Sequence, residues 1–437
     1  MKHLIIALAF LICCTEVHAK YRETMDPNGP MKNLHTDFGL KNDGAKSDQS
    51  DLMQKAIQAF SAAGGGRLIM PKGTYMFSGV CLASNVHLLI EKDTVIKPYW
   101  PKGGKAVVFQ LTPYSESRKR RQHDDRYVEN VSIRGLGGTF IIDYSNRKRV
   151  KGEGIRAVNC RMAKNFLLSD FEVKDNWTTY CAIIFTPSSS PNAKSYDVYM
   201  PVDGLVKNCH STHSSPGYGL VQMHGGRDIH FENLSTTGGG VTFRLETGAG
   251  GEHGGIYDIS AKDLYCEDGK AAVLMGPHVR QNGMVMIDGV KTKGCFNAVQ
   301  MGSGFVDQKK RAEGVHVSPG SFADGSTVKN IHAIFGTNAP IATKSLARVP
   351  KEYLSQLRID ERETKSLRGP SVCAVTDRTQ KSWRPVIQNV TSEGFKYNPG
   401  VVTLKEDVKG NLNQILTGMP ILEEFEKHKK KLAEEDK

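Results

Sequence analysis

Arg244 and Glu246 stand two residues apart in VTFRLETG (residues 241–248), where Val241, Phe243 and Leu245 take the alternate places. In an extended strand that alternation sends the two charged residues to one face and the apolar set to the other. A carboxyl on such a face can protonate a glycosidic oxygen or hold a sugar hydroxyl, and an arginine beside it suits an oxyanion. The plain alternative is a surface ion pair, which contributes little. Other polar groups fall at matching places in three further segments. Gln222 and His224 alternate with Val221 and Met223; Gly276 and His278 continue the alternation of Val273 and Met275; Gln300, Gly302 and Gly304 do so for Val299 and Met301. Adjacent strands lie about 4.8 Å apart. Stacked side by side, these segments gather Gln222, His224, Arg244, Glu246 and His278 on one outer face. Gly248, Gly276, Gly302 and Gly304 would leave a bare floor that admits a bulky ligand.

An element that stacks such strands is written into the chain as a repeat. A tetrad of apolar, any, Asn/Asp/Gly, apolar recurs as ASNV (83–86), IRGL (133–136), LSDF (168–171), VKNC (206–209), FENL (231–234), AKDL (261–264), IDGV (287–290), VKNI (328–331) and IQNV (387–390). The tightest spacings are 25 to 30 residues, the period of a solenoid rather than of an antiparallel sandwich. Asn or Asp at a fixed turn position suits a left-handed backbone and can bond to the next coil. The expectation is an all-β solenoid of parallel strands in which each coil covers its neighbour's apolar face. DLMQKAIQAFS (51–61) has helical spacing at Leu52, Ala56, Ile57, Ala59 and Phe60 and would cap the open N-terminal end. Residues 340–368 break the β pattern and read as a small helical insertion, and 411–437 as a charged helix or tail.

The chain has 437 residues, of which 44 are glycine, and a formal net charge of +12. That charge points to an acidic partner. The basic runs Arg118–Arg121 and Arg147–Arg149 come without any nucleic-acid-binding motif, and solvated loops explain them. Residues 1–19 read as a secretory signal: Lys2 and His3, an apolar core LIIALAFLICC, and a cleavage site at Val17-His18-Ala19. A lipid anchor at Cys13 or Cys14 would want small residues that are not there. No other apolar run could span a membrane. Cys81, Cys160, Cys181, Cys209, Cys266, Cys295 and Cys373 remain, an odd number without a CxxC pair, so metal clusters are not expected and several should be small buried apolar residues.

DFGLKNDGAKSDQSDLMQKAIQAFSAAGGGRLIMPKGTYMF (37–77) resembles the opening of pectin-lyase-like right-handed parallel β-helices. PGYGLVQMHGGRDIHFENL (216–234), GGVTFRLETG (239–248), AAVLMGPHVRQNGMVMIDGVKTKGCFNAVQMGSGFVD (271–307) and GPSVCAVTD (369–377) resemble the iota-carrageenase family of glycoside hydrolases, in order and at family-like spacing over roughly residues 35–400. The resemblance implies a secreted, endo-acting, inverting hydrolase of β-1,4 linkages in a sulfated red-algal galactan, iota-carrageenan first. It places the proton donor at Glu246, a water- and anion-binding amide at Gln222 and the GPH histidine at His278, with Arg244 toward a substrate sulfate. His224, Tyr218, Arg280 and Lys309 complete the expected binding set. It also implies no cofactor for the chemistry, an optional calcium or sodium ion, a chloride near Gln222, and a monomer that binds neither nucleic acid nor membrane.

Two departures from the family bear on mechanism. Where some members read ETD and use that Asp as general base, this chain has Gly248, which leaves His278, Glu252 or His253 as substitutes and Gln222 to orient the water. Residues 305–321 form a short link where some members carry a large domain, which implies an open cleft, weakly processive cutting, and Lys309, Lys310 and Arg311 within reach of sulfates. The rival readings are a polysaccharide lyase on the same fold, which would need carboxylate-held calcium, and a sulfated-glycan-binding β-helix that does not cut.

Overall fold

The structure is a computed structural model that describes residues 21–100, 105–114, 126–146, 154–187, 200–247, 254–306, 318–361, 366–403 and 419–435. The proposed signal, both basic runs, Gly248, Glu252, His253 and Lys309 to Arg311 lie outside the described residues.

Parallel strands coil into a right-handed β-helix with two long sheets. The sheet that bears the candidate residues contains, in stacking order, Gly154–Cys160, Ile183–Phe185, Gly219–Met223, Val241–Glu246, Ala271–Gly276, Val299–Gly302 and Val375–Arg378. Their registers align Val158, Ile183, Val221, Phe243, Val273, Val299 and Val375 in one inward row. All seven are essentially inaccessible to solvent. Beneath them an aromatic stack runs from Phe166 through Phe185 and Phe231 to Phe243, with ring centroids 6.1, 5.5 and 4.6 Å apart. It fixes from below the strand that carries Arg244 and Glu246.

The tetrads are turns in which Asp170, Asn208, Asn233, Asp263, Gly289, Asn330 and Asn389 take positive φ. Asn233 donates to Asn208 Oδ1 at 2.9 Å and Asn208 to Asp170 Oδ1 at 2.8 Å, so the side chains link successive coils. Two tetrads depart from the expectation. Asn85 of ASNV belongs to a different corner, stacked beneath Asn130 and Asn165, and Gly135 of IRGL is not left-handed. Sequence spacing could not separate two corners that use the same residue type for the same backbone reason.

The capping helix spans Ser50–Ala62 and buries Met53, Ala56, Ile57 and Phe60 against the first coil. Its Gln54 amide donates to the Cys81 carbonyl at 3.1 Å and accepts from the Cys81 N–H at 2.8 Å. The side chain thereby pairs with the edge strand of the sheet as a further strand would. The insertion is helical only in two 3-10 segments, Thr343–Arg348 and Lys351–Gln356; its frame is an antiparallel sheet of Ala339–Ala342, Arg358–Ile359 and Ser366–Gly369. Ile341 and Leu367 face each other across the antiparallel pair, and they pack a second core with Leu346, Val349 and Phe425. Phe425 belongs to the C-terminal helix Pro420–Glu435, so the charged end is a docked helix. All seven remaining cysteines are free and buried. No helix among the described residues is long and apolar enough to cross a membrane.

Candidate active site

Gln222 pairs with Arg244 across neighbouring strands, and the same outward row continues to Leu274 and Gln300. The next outward row holds Glu246 and Gly276, then Gly302 and Arg378. The five residues singled out from the sequence do converge. Glu246 Oε2 is paired with Arg244 Nη2 and accepts from Gln222 Nε2 at 3.3 Å. Glu246 Oε1 faces His278 Nε2 at 3.3 Å. His224 donates from Nδ1 to the Glu246 main-chain carbonyl at 2.7 Å. Tyr218 lies under Arg244, whose Cζ is 5.6 Å from the ring centroid. Arg280 lies in the turn after Pro277, two residues beyond His278, and its N–H donates to the Pro277 carbonyl at 2.9 Å.

Glycine serves two purposes here. Gly238, Gly239 and Gly240 have φ of 81°, 146° and 81°, and a Cβ at Gly239 would sit 2.2 Å from the Ser214 carbonyl oxygen. Only glycine turns the chain into the Val241 strand at that closeness. Gly276 and Gly302 are ordinary extended residues, and a Cβ at either would meet nothing nearer than 3.7 Å. The backbone does not require glycine there; what it leaves is empty floor beside Glu246.

The His278 loop is set by residues not singled out from the sequence. Thr247 Oγ1 donates to the Pro277 carbonyl at 3.1 Å, and the buried Asn282 amide donates to Thr247 Oγ1 at 2.9 Å and to the Ser321 carbonyl at 2.9 Å. Those bonds hold His278, at a left-handed φ of 46°, against the carboxylate. Phe305, half exposed, lies with its ring centroid 4.6 Å from that of His278 and offers an aromatic face to the groove. Lys270 pairs its N–H with the Gly240 carbonyl and is surrounded by the charges of Arg244, Lys344, Arg348 and Glu246. No local pattern marks Asn282 or Lys270; each acts across coils.

Burial by itself would raise the Glu246 pKa, but the His278 hydrogen bond and then the Arg244 charge outweigh it and hold the carboxyl down at about 2. Burial lowers the His224 pKa. His224 is therefore neutral at neutral pH, and since its Nδ1–H is given to a carbonyl, Nε2 keeps the lone pair. Burial and the neighbouring Arg244 and Lys344 push Lys270 down to about 8. Among the described residues no group of three or more His, Cys, Asp or Glu side chains converges to hold a metal ion.

A carboxyl, an amide, an arginine and two histidines thus share a glycine floor on one sheet of a parallel β-helix. A family model described as rhamnogalacturonase A/epimerase, pectate lyase-like, matches residues 32–304, and the chain belongs to that family. Among its relatives are iota-carrageenases, as the sequence resemblance indicated. That of Alteromonas macleodii is 32% identical over 288 residues, which cover 65% of this chain and 55% of that protein. That of Zobellia galactanivorans is 37% identical over 284 residues, covering 63% and 53%. The chain thus spans about half the length of these curated relatives. A solved 1,3-α-1,4-β-D-galactose-4-sulfate-3,6-anhydro-D-galactose-2-sulfate 4 galactohydrolase superposes with a TM-score of 0.76 at 28% identity, covering 88% of this chain and 93% of that one.

Proposed function

We propose that the protein is a secreted, monomeric, endo-acting glycoside hydrolase that cleaves β-1,4 linkages of a sulfated galactan, iota-carrageenan first, with inversion. The observation that carries this reading is Glu246 on the glycine floor with Arg244, Gln222 and His278 around its carboxyl, in a chain whose relatives include iota-carrageenases. The net charge of +12 suits a polyanionic substrate. Glu246 delivers a proton to the leaving oxygen. Gln222 and Arg244 offer the amide and guanidinium donors that a chloride would take.

An inverting pair stands about 6.5–9.5 Å apart so that a water fits between base and sugar. His278, at 3.3 Å from Glu246, is nearer than that and serves the acid. We assign the base to His224, which keeps a lone pair on Nε2 and stands one strand before Glu246. Phe305 supports a sugar ring, and Lys344 and Arg348 of the insertion, with Tyr218 and Arg280, border the bound chain. The lyase alternative calls for a carboxylate cluster around calcium, and the described residues do not bring one together.

The test is reducing-end release from iota-, kappa- and lambda-carrageenan, wild type beside Glu246→Gln. Release from iota that falls by about 10²-fold or more in the variant is expected; release that survives it would put the active site elsewhere. A second reading rests on Gly248, which stands where the resemblance expects the base: a β-helix that binds iota-carrageenan without cutting. Retained binding with no release by the wild type would favour it.

A further inference from the structure

A leaving-group acid must hold a proton, and here Glu246 is ionised, so the hydrolase reading requires a way to charge it. Arg244 is the partner that can leave. Besides the carboxylate it has two other supports: its Nη1 donates to the Gly217 carbonyl, and its guanidinium lies over the Tyr218 ring. It stands at the groove surface, 15% exposed. A sulfate ester offers a guanidinium the same paired oxygens and full charge that a carboxylate does.

We propose, on the basis of the hydrolase reading, that a substrate sulfate takes Arg244 from Glu246, and that the carboxyl, freed of this partner, picks up the proton it then gives to the glycosidic oxygen. One proton enters from solvent for each exchange, and one leaves with the departing hydroxyl. The groups that face Glu246 all bear on this step. Arg244 is on its own strand; Gln222 is on the strand before and His224 just past its end; Tyr218 and Cys181 lie behind them; Lys270 immediately precedes the following strand and His278 follows its end. His278 stays in place beside Oε1, and its hydrogen bond lowers the carboxyl more than Arg244 does, so the sulfate has to offset that contact as well as draw Arg244 away. Burial favours the neutral carboxyl, and the arriving sulfate adds negative charge that pushes the same way. Sulfation of the substrate is then read in turnover as well as in binding, because an unsulfated chain leaves the acid without its proton.

The experiment is proton uptake on mixing, followed with an indicator dye near pH 6.5, with iota-carrageenan tetrasaccharide and its desulfated counterpart as probes, beside rates of cutting. Wild type should take up about one proton per sulfated ligand bound and none with the desulfated one. Glu246→Gln should take up none. In Arg244→Gln the acid has already lost its partner, so uptake should shrink, and kcat should lose its dependence on sulfation while KM rises. Cutting without uptake by the wild type overturns this inference and leaves the hydrolase reading standing. So does an Arg244→Gln variant altered in KM alone. Uptake without cutting sustains the exchange and sinks the hydrolase. Failure of the sulfated tetrasaccharide to bind sinks both.

Discussion

Glu246 shows how little a residue's type says about its state. The same carboxyl would be a poor acid beside Arg244 and His278 and a competent one once the guanidinium is engaged elsewhere, because burial and charge act on it in opposite directions. His224 carries the prediction at this scale. Burial lowers its pKa from 6.5, and the neutral form is the one able to accept a proton from water. Activity should therefore hold above that lowered pKa and fall as pH drops through it, placing the acid limb of the rate profile below pH 6.5. His224→Gln should cut kcat by about 10²-fold and erase that limb. A pH–rate series of both proteins decides it, and an unchanged limb in the variant would remove His224 from the base role.

Strands and turns set what the residues can reach. The segment 241–246 is legible as a strand because its alternation is local, and so is the Ser50–Ala62 helix, whose buried face repeats at helical spacing. The insertion reads as helical in the sequence because residues 340–368 break the β pattern; its strands are short and pair only with one another. The floor glycines give the prediction for elements. Gly302→Leu should fold with little loss of stability, since a Cβ there meets only the Met275 carbonyl at 3.7 Å, yet lower kcat/KM by about tenfold or more by filling the groove. Gly239→Ala, with its Cβ 2.2 Å from Ser214 O, should fold poorly. Melting curves and activity on both variants test the contrast, which fails if Gly302→Leu unfolds or if it cuts normally.

On the scale of the molecule, one side chain ties the insertion to the coils. Arg368, itself buried, donates to the carbonyls of Asp268 at 2.9 Å, Asn338 at 3.0 Å and Gly238 at 3.2 Å, and pairs with the partly exposed Asp360 at 2.7 Å. Arg368→Ala leaves Asp360 and three carbonyls without this donor, a local loss of about 3–5 kcal/mol. Solenoid coils depend mainly on their neighbours, so the damage should stay near the insertion. Limited proteolysis should nick residues 339–369 while the main thermal transition stays in place; intact resistance to protease would refute the clamp. Loss of the insertion's footing should also raise KM, because Lys344 and Arg348 would no longer face Lys270 beside the acid.

The sequence by itself determined the coil strands, which of their residues face inward, the Asn and Asp type at most corners, the capping helix and the candidate acid. Each of these depends on residues within a few positions of one another, where backbone geometry imposes a period. The tertiary structure decided everything that depends on which coil lies beside which. It brought Gln222 opposite Arg244, Lys270 beside Gly240, and Arg368 back to Gly238 across 130 residues. It also set His278 against Glu246 at 3.3 Å instead of across a water. Loops of unequal length separate the coils, so stacking partners have no constant offset along the chain, and only the inter-strand hydrogen bonds fix them.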